Sequence, residues 1–188
     1  MPRDWKSVYS HPENLDFSPA PLLVANCETL APGRALDLAC GHGRNAIYLA
    51  TLGWRVTAVD REEAAIRLLR EHSAGLNIDA RVCDLEDSSF AIEPFAFDLI
   101  CDFLYLDRKL FPEIREGVKP GGTFIGAMLL VGQALPPANP GDSEPNGSFQ
   151  LEPGELRAAF AGWKILFYSE SAEPGKKRLT ARIVARRA

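Results

Sequence analysis

One stretch constrains this chain more than any other: Ala35-Leu36-Asp37-Leu38-Ala39-Cys40-Gly41-His42-Gly43-Arg44-Asn45-Ala46, with Asp60 at the end of the next apolar run. An apolar strand leads in, glycines turn the chain, and a helix leads out. Glycine lets backbone N–H groups approach a ligand closely, and a helix N-terminus offers partial positive charge to an anionic group. Asp60 stands about 20 residues past the first glycine, a spacing that suits a carboxylate gripping ribose hydroxyls. The pattern predicts a nucleotide-type cofactor site on a doubly wound sheet.

The rest of the chain reads as alternating elements around that turn. Helices are expected at Pro21–Leu30, Arg44–Thr51, Glu62–His72, Asp107–Gly117 and Glu155–Phe160. Within the fourth of these, Pro112 marks the first turn of the main helix. Strands are expected at Ala35–Ala39, Trp54–Val59, Ala80–Cys83, Phe97–Cys101 and Gly122–Leu130. A closing pair, Trp163–Ser169 and Arg178–Ala185, is joined at Glu173-Pro174-Gly175-Lys176. The expected fold is α/β: a Rossmann-like, doubly wound, mostly parallel seven-stranded sheet with a C-terminal antiparallel hairpin, in a single domain. The N-terminal segment with Trp5, Tyr9 and Phe17 reads as irregular and packed over something. Asp84 to Ala96 reads as loop. Gly132 to Gly147, rich in Pro, Gly and Asn, reads either as disorder or as a lid beside a site.

Composition narrows the function classes. The chain has 188 residues, 46% of them hydrophobic, enough for one domain with a core. A net charge of −4 gives no support to a nucleic-acid partner. No apolar run approaches a membrane span of ~20 residues, and no signal-type segment follows Met1. Cys27, Cys40, Cys83 and Cys101 are dispersed without zinc-ligand spacing and read as free thiols, which fits a cytoplasmic protein. No metal is expected.

Gly41, Gly43 and Ala46 formally satisfy a dinucleotide fingerprint, which dehydrogenases share. Three features shift the balance. Asp37 lies inside the strand, where a carboxylate is costly unless it has partners such as an amine-bearing ligand or the turn backbone. Asp84, after the third strand, could accept a hydrogen bond from an adenine amino group while Leu85 covers the ring. The closing hairpin leaves no room for the further domain a dehydrogenase usually needs.

These residues resemble class I S-adenosylmethionine-dependent methyltransferases. The matching pieces are Asp37-Leu38-Ala39-Cys40-Gly41-His42-Gly43, Asp60, Cys83-Asp84-Leu85, Phe97-Asp98-Leu99-Ile100 and Lys119-Pro120-Gly121-Gly122-Thr123. Cys40-Gly41-His42-Gly43-Arg44-Asn45-Ala46-Ile47-Tyr48-Leu49-Ala50 and Gly154-Glu155-Leu156 are similar to the tellurite-resistance (TehB-like) branch. The resemblance implies S-adenosylmethionine as cofactor and S-adenosylhomocysteine as product. It implies that Asp37 and the Gly41–Gly43 backbone hold the methionine portion, and that Ala39, His42 and Asn45 also belong to the cofactor site. Asp60 would bind the ribose, Arg61 would lie beside the adenine, and Asp84 and Leu85 would meet it. Cys101 and Asp102 would approach the methionine end. Ala39 stands where many members have glycine, and Asp102 and Asp107 put charge where related chains are often apolar or basic.

Methyl transfer is an in-line displacement that depends on alignment. The sequence offers no clear base, which favours a soft nucleophile: a thiol, or a selenium or tellurium anion. Tyr9, Arg44, Asp102, Tyr105 and Arg108 are the candidate substrate contacts. His11 and His42 read as loop residues. Tyr9 and Trp5 either pack on the core or form a flap. The basic end, Lys176, Lys177, Arg178, Arg182, Arg186 and Arg187, reads as a solubilising edge. Two rivals remain open: a non-catalytic S-adenosylmethionine-binding module and a nicotinamide-dependent oxidoreductase.

Overall fold

A computed structural model of the chain describes residues 5–9, 11–87, 89–131, 149–172 and 178–188. The expected Gly132–Gly147 lid and the Glu173–Lys176 turn lie outside the described residues.

Seven strands form one sheet in the order β3-β2-β1-β4-β5-β7-β6. They are β1 Arg34–Leu38, β2 Arg55–Asp60, β3 Ile78–Val82, β4 Phe97–Phe103, β5 Val118–Leu129, β6 Lys164–Ala172 and β7 Leu179–Arg186. The first five are parallel. β7 runs antiparallel to both β5 and β6. The helices are α1 Trp5–Tyr9, α2 Pro21–Cys27, α3 Arg44–Thr51, α4 Glu63–His72, α5 Leu110–Gly117 and α6 Glu155–Ala159.

Helices cover both faces, so the central strands are apolar on both sides rather than alternating. Leu36, Leu38, Ile100, Phe124 and Phe160 fill one face. Ala35, Leu49, Val56, Leu99 and Ile125 fill the other. The chain winds one way from β1 through β2 to β3, then returns to lay β4 on the other side of β1. That reversal opens a crevice at the carboxyl ends of β1 and β4, where ligands of open α/β sheets bind.

Several elements differ from expectation. The N-terminal segment is not wholly irregular: α1 is a short helix packed on α4, and Tyr9, 7% exposed, joins Ala65 and Leu68 there. Its few apolar residues sit in a run too short to show helical periodicity. β3 begins at Ile78 rather than Ala80, because edge residues such as Asp79 and Arg81 carry no apolar signal. β5 begins at Val118, before Lys119-Pro120-Gly121-Gly122, and the ladder shifts register between Phe97 and Leu99. That motif is structural. Lys119 Nζ lies 2.8–2.9 Å from the Asp98 carboxylate, which also accepts the Arg34 N–H at 2.8 Å. A Cβ on Gly33 would fall 2.3 Å from Asp98 Oδ2. This cluster sits at the end of the sheet away from the glycine turn. The basic C-terminus is more than a solubilising edge. Arg187 donates to the carbonyls of Arg115, Glu116 and Val118 and closes α5, and Arg186 donates to Gly121 O.

Candidate functional site

The glycine turn joins β1 to α3, and its backbone is tightly determined. Cys40 N–H donates to Val59 O on β2 at 2.9 Å, and Gly43 N–H donates to Cys40 O at 3.0 Å. Gly41 and Gly43 have φ of 58° and 84°. A Cβ on Gly43 would fall 2.2 Å from Leu69 Cδ1, and one on Gly41 would fall 2.6 Å from the Tyr9 hydroxyl. Both positions therefore need glycine for conformation and for space. Ala39 also lies in the left-handed region, at φ 47°. Its methyl is accommodated, but at a backbone cost that glycine would avoid.

Asp60 ends β2 and braces this turn. Its Oδ2 accepts the Gly41 N–H at 2.8 Å and its Oδ1 accepts the Glu62 N–H at 2.9 Å. Each oxygen keeps a further lone pair for a ligand hydroxyl. Burial raises its pKa against the pull of those two N–H groups.

Asp37 and Cys101 face each other across β1 and β4, in register. Cys101 Sγ donates to Asp37 Oδ1 at 3.3 Å. Asp37 is 1% exposed, and its Oδ2 has no partner among the described residues. Burial pushes its pKa up to about 7, opposed by the Cys101 thiol and by nearby Arg44. Asp102, one residue on, points to the opposite face by strand alternation. It is 2% exposed, and its Oδ1 likewise has no partner among the described residues. Burial, then the charge of Asp37, raise its pKa well above the carboxylate range, while the Tyr105 backbone pulls it down. Two buried carboxylates with unused oxygens near the carboxyl ends of neighbouring central strands are costly in isolation. They suit a ligand that brings positive charge.

The other expected residues fall into two groups. Asp84, Leu85 and Arg61 come together beyond β2 and β3. Asp84 accepts the Glu86 N–H at 2.9 Å, Arg61 reaches Glu86 and Glu62, and Leu85 packs on the β4–β5 side of the core. His42, Arg44 and Asn45 strap the N-terminal segment over the turn. His42 Nε2 bonds Asp16 O at 3.0 Å, Arg44 donates to Ser18 O at 3.2 Å, and buried Asn45 accepts the Ala20 N–H at 2.9 Å. Phe17 packs edge-on against His42 with centroids 4.6 Å apart. Burial lowers the His42 pKa and favours the neutral ring. Arg108 is taken up elsewhere: it pairs with Glu155 and donates to Gln150 O, fixing the start of α6. Tyr105 is partly buried against the β4–β5 side of the core.

Sequence reading missed Leu104. It sits at φ 70° just past β4, and its N–H donates to Ala127 O at 2.7 Å. No glycine marks the position, so no signal was available. Two open hollows elsewhere, one beside α6 and β6 and one at the opposite end of the sheet, do not border the glycine turn.

Sheet order and glycine turn together place the chain in the Rossmann-like α/β fold of solved S-adenosylmethionine-dependent methyltransferases. A family model described as "Tellurite resistance protein TehB" matches residues 13–180, and the chain belongs to that family. The Haemophilus influenzae protein named "Probable S-adenosyl-L-methionine-dependent methyltransferase TehB" is 30% identical over 154 residues, which is 79% of this chain and 52% of that protein. The Bacillus subtilis "Uncharacterized methyltransferase YodH" is 34% identical over 133 residues, 69% of this chain and 56% of that one. The chain spans about half the length of these curated relatives. The crystal structure of TehB from Haemophilus influenzae shares the fold, with a TM-score of 0.75 and 24% identity over 97% of this chain and 67% of that one.

Proposed function

We propose that the protein transfers the methyl group of S-adenosylmethionine to a small-molecule acceptor. The observation that carries this reading is the buried Asp37 Oδ2, unpartnered among the described residues, beside a glycine turn whose Gly41 N–H is held by Asp60. In this reading Asp37 takes the methionine ammonium of the cofactor. The turn from Ala39 to Gly43 holds the methionine portion, and Cys101 fixes the carboxylate from behind. Asp60 grips the ribose hydroxyls. Asp84, Leu85 and Arg61 surround the adenine. When bound, the cofactor supplies an electrophilic methyl on a positively charged sulfur. The protein has to align the acceptor with it and exclude water.

The unpartnered acids weigh against a nicotinamide cofactor, whose pyrophosphate would bring negative charge to Asp37. Net charge of −4 gives no support to a nucleic-acid partner. Among the described residues no helix is long and apolar enough to cross a membrane. A cytoplasmic location belongs to the same proposal.

The test is release of S-adenosylhomocysteine from purified protein incubated with S-adenosylmethionine and a panel of thiols, amines, selenite and tellurite. Acceptor-dependent release above background supports the reading. Tight cofactor binding with no release on any acceptor would leave the non-catalytic module in its place.

A further inference from the structure

We propose that Arg44 holds the carboxylate of the cofactor's methionine end, opposite the ammonium that Asp37 takes. This rests on the methyl-transfer reading and moves Arg44 from the acceptor to the cofactor.

The backbone of the glycine turn is largely spent. Cys40 N–H donates to Val59 O, Gly41 N–H to Asp60 Oδ2 and Gly43 N–H to Cys40 O. The two glycines leave no open space either. A Cβ on Gly41 would meet the Tyr9 hydroxyl at 2.6 Å, and one on Gly43 would meet Leu69 at 2.2 Å. The turn therefore shapes the site while these donors face the protein. A carboxylate brought here out of water needs charged donors, and a side chain has to supply them.

Arg44 is placed to do so. It opens α3, directly after the turn. Its Nη1 donates to Ser18 O at 3.2 Å, a carbonyl that orients the guanidinium without neutralising it. Arg44 forms no ion pair among the described residues, and its other guanidinium N–H groups have no partner there. Asp37, its carboxyl pushed up by burial, is drawn down again by the Cys101 thiol and then by the charge of Arg44. Acid and base thus face one space without closing on each other. Neighbouring cations are engaged or neutral. Arg61 pairs with Glu62 and Glu86, and burial favours the neutral ring of His42.

An α-amino acid carries the matching pair of charges on one carbon. Its ammonium relieves the buried Asp37 carboxylate, and its carboxylate fits the planar fork of a guanidinium. Ser18 lies in the segment strapped over the turn, so that segment also aims Arg44. A nucleotide without the amino-acid end uses neither group.

Three ligands separate these contributions: S-adenosylhomocysteine, its decarboxylated analogue, which keeps the amine, and methylthioadenosine, which lacks both charged groups. Each is titrated calorimetrically against the parent and against Arg44→Gln, with circular dichroism as the check on folding. The parent should bind S-adenosylhomocysteine about tenfold or more tightly than the decarboxylated analogue, the worth of a charge-assisted contact. Arg44→Gln should bring that ratio below about threefold through loss of S-adenosylhomocysteine affinity, with the other two ligands unchanged. Equal binding of the first two ligands by the parent, an intact ratio in Arg44→Gln, or equal weakening of all three ligands overturns the assignment. Should Arg44→Gln not fold, Arg44→Lys takes its place. Loss of the planar fork should then weaken S-adenosylhomocysteine about threefold or more and spare the decarboxylated analogue, and unchanged affinity overturns the assignment. Failure of both S-adenosylhomocysteine and methylthioadenosine to bind the well-folded parent refutes the methyl-transfer reading. Binding with an intact ratio in the variant refutes the role of Arg44 alone.

Discussion

Replacing Asp37 with Asn should make the ligand-free protein more stable and cofactor binding weaker. Asp37 is buried, and its carboxyl is pushed up to about 7 from an ordinary 3.8. An acid whose folded pKa lies above its unfolded pKa destabilises the fold once it ionises. Below about pH 4 both states carry the proton and the penalty is absent. It grows as pH rises from 3.8 toward 7 and is complete above that. A shift of about 3 units corresponds to about 4 kcal/mol at 1.36 kcal/mol per unit, an order-of-magnitude figure. Asn keeps the size and can still accept from the Cys101 thiol, but it carries no charge to desolvate. Urea denaturation at pH 8 should therefore show Asp37→Asn more stable than the parent by a few kcal/mol. The gap should close as pH falls from 7 toward 4. Calorimetry at pH 8 should show the reverse for the cofactor: loss of a charge-assisted hydrogen bond of ~1.5–3 kcal/mol weakens binding tenfold or more. A variant less stable than the parent at pH 8, or a gap independent of pH, would refute the claim that Asp37 is held there for a ligand at the expense of the fold.

Other consequences are equally direct. Asp60→Ala should weaken cofactor binding more than Asp84→Ala, by tenfold or more, because Asp60 both braces Gly41 and would accept ribose hydroxyls. Parallel calorimetric titrations decide it, and a larger loss for Asp84→Ala would put the ribose elsewhere. Ala39→Gly should raise stability by roughly 0.5–1 kcal/mol, since relief of ~1–2 kcal/mol of left-handed strain exceeds the added unfolded-state entropy; thermal denaturation reads it as a small rise in Tm. Backbone amides from Leu15 to Ala20, strapped to the turn through His42, Arg44 and Asn45, should exchange more slowly with S-adenosylhomocysteine bound. Unchanged exchange there would mean that this segment is packing and not a cover.

The parts of the fold legible in sequence were those where local chemistry and tertiary role coincide. β1, β2 and β4 are apolar on both faces because helices bury both, so they show as runs. α3 starts after Gly43 because the turn needs positive φ there, and the sequence states that need as glycine. Asp60 was legible from spacing alone. The edge strand β3 was placed short, since an edge needs few apolar side chains. α1 was missed because five residues cannot show a helical period. Within the site, Asp37, Asp60 and Asp102 were found as residue types, but their unequal situations were not. Sequence shows no burial, so it does not tell that, among the described residues, Asp37 Oδ2 and Asp102 Oδ1 lack partners while Asp60 accepts from Gly41 and Glu62. Nor could it show that Arg108, a candidate substrate contact, pairs with Glu155.

The central claim is that this acid-flanked turn holds S-adenosylmethionine. Isothermal calorimetry of S-adenosylmethionine, S-adenosylhomocysteine and NAD, each against the purified chain and its Asp37→Asn and Asp60→Ala variants, tests it most directly. One-to-one binding of the first two, no binding of NAD, and weakened binding in both variants are expected. Ligand at ~100 times its dissociation constant should stabilise the fold by ~2.7 kcal/mol. Binding of NAD in preference to both adenosyl ligands, or no binding of either adenosyl ligand to well-folded protein, would contradict it.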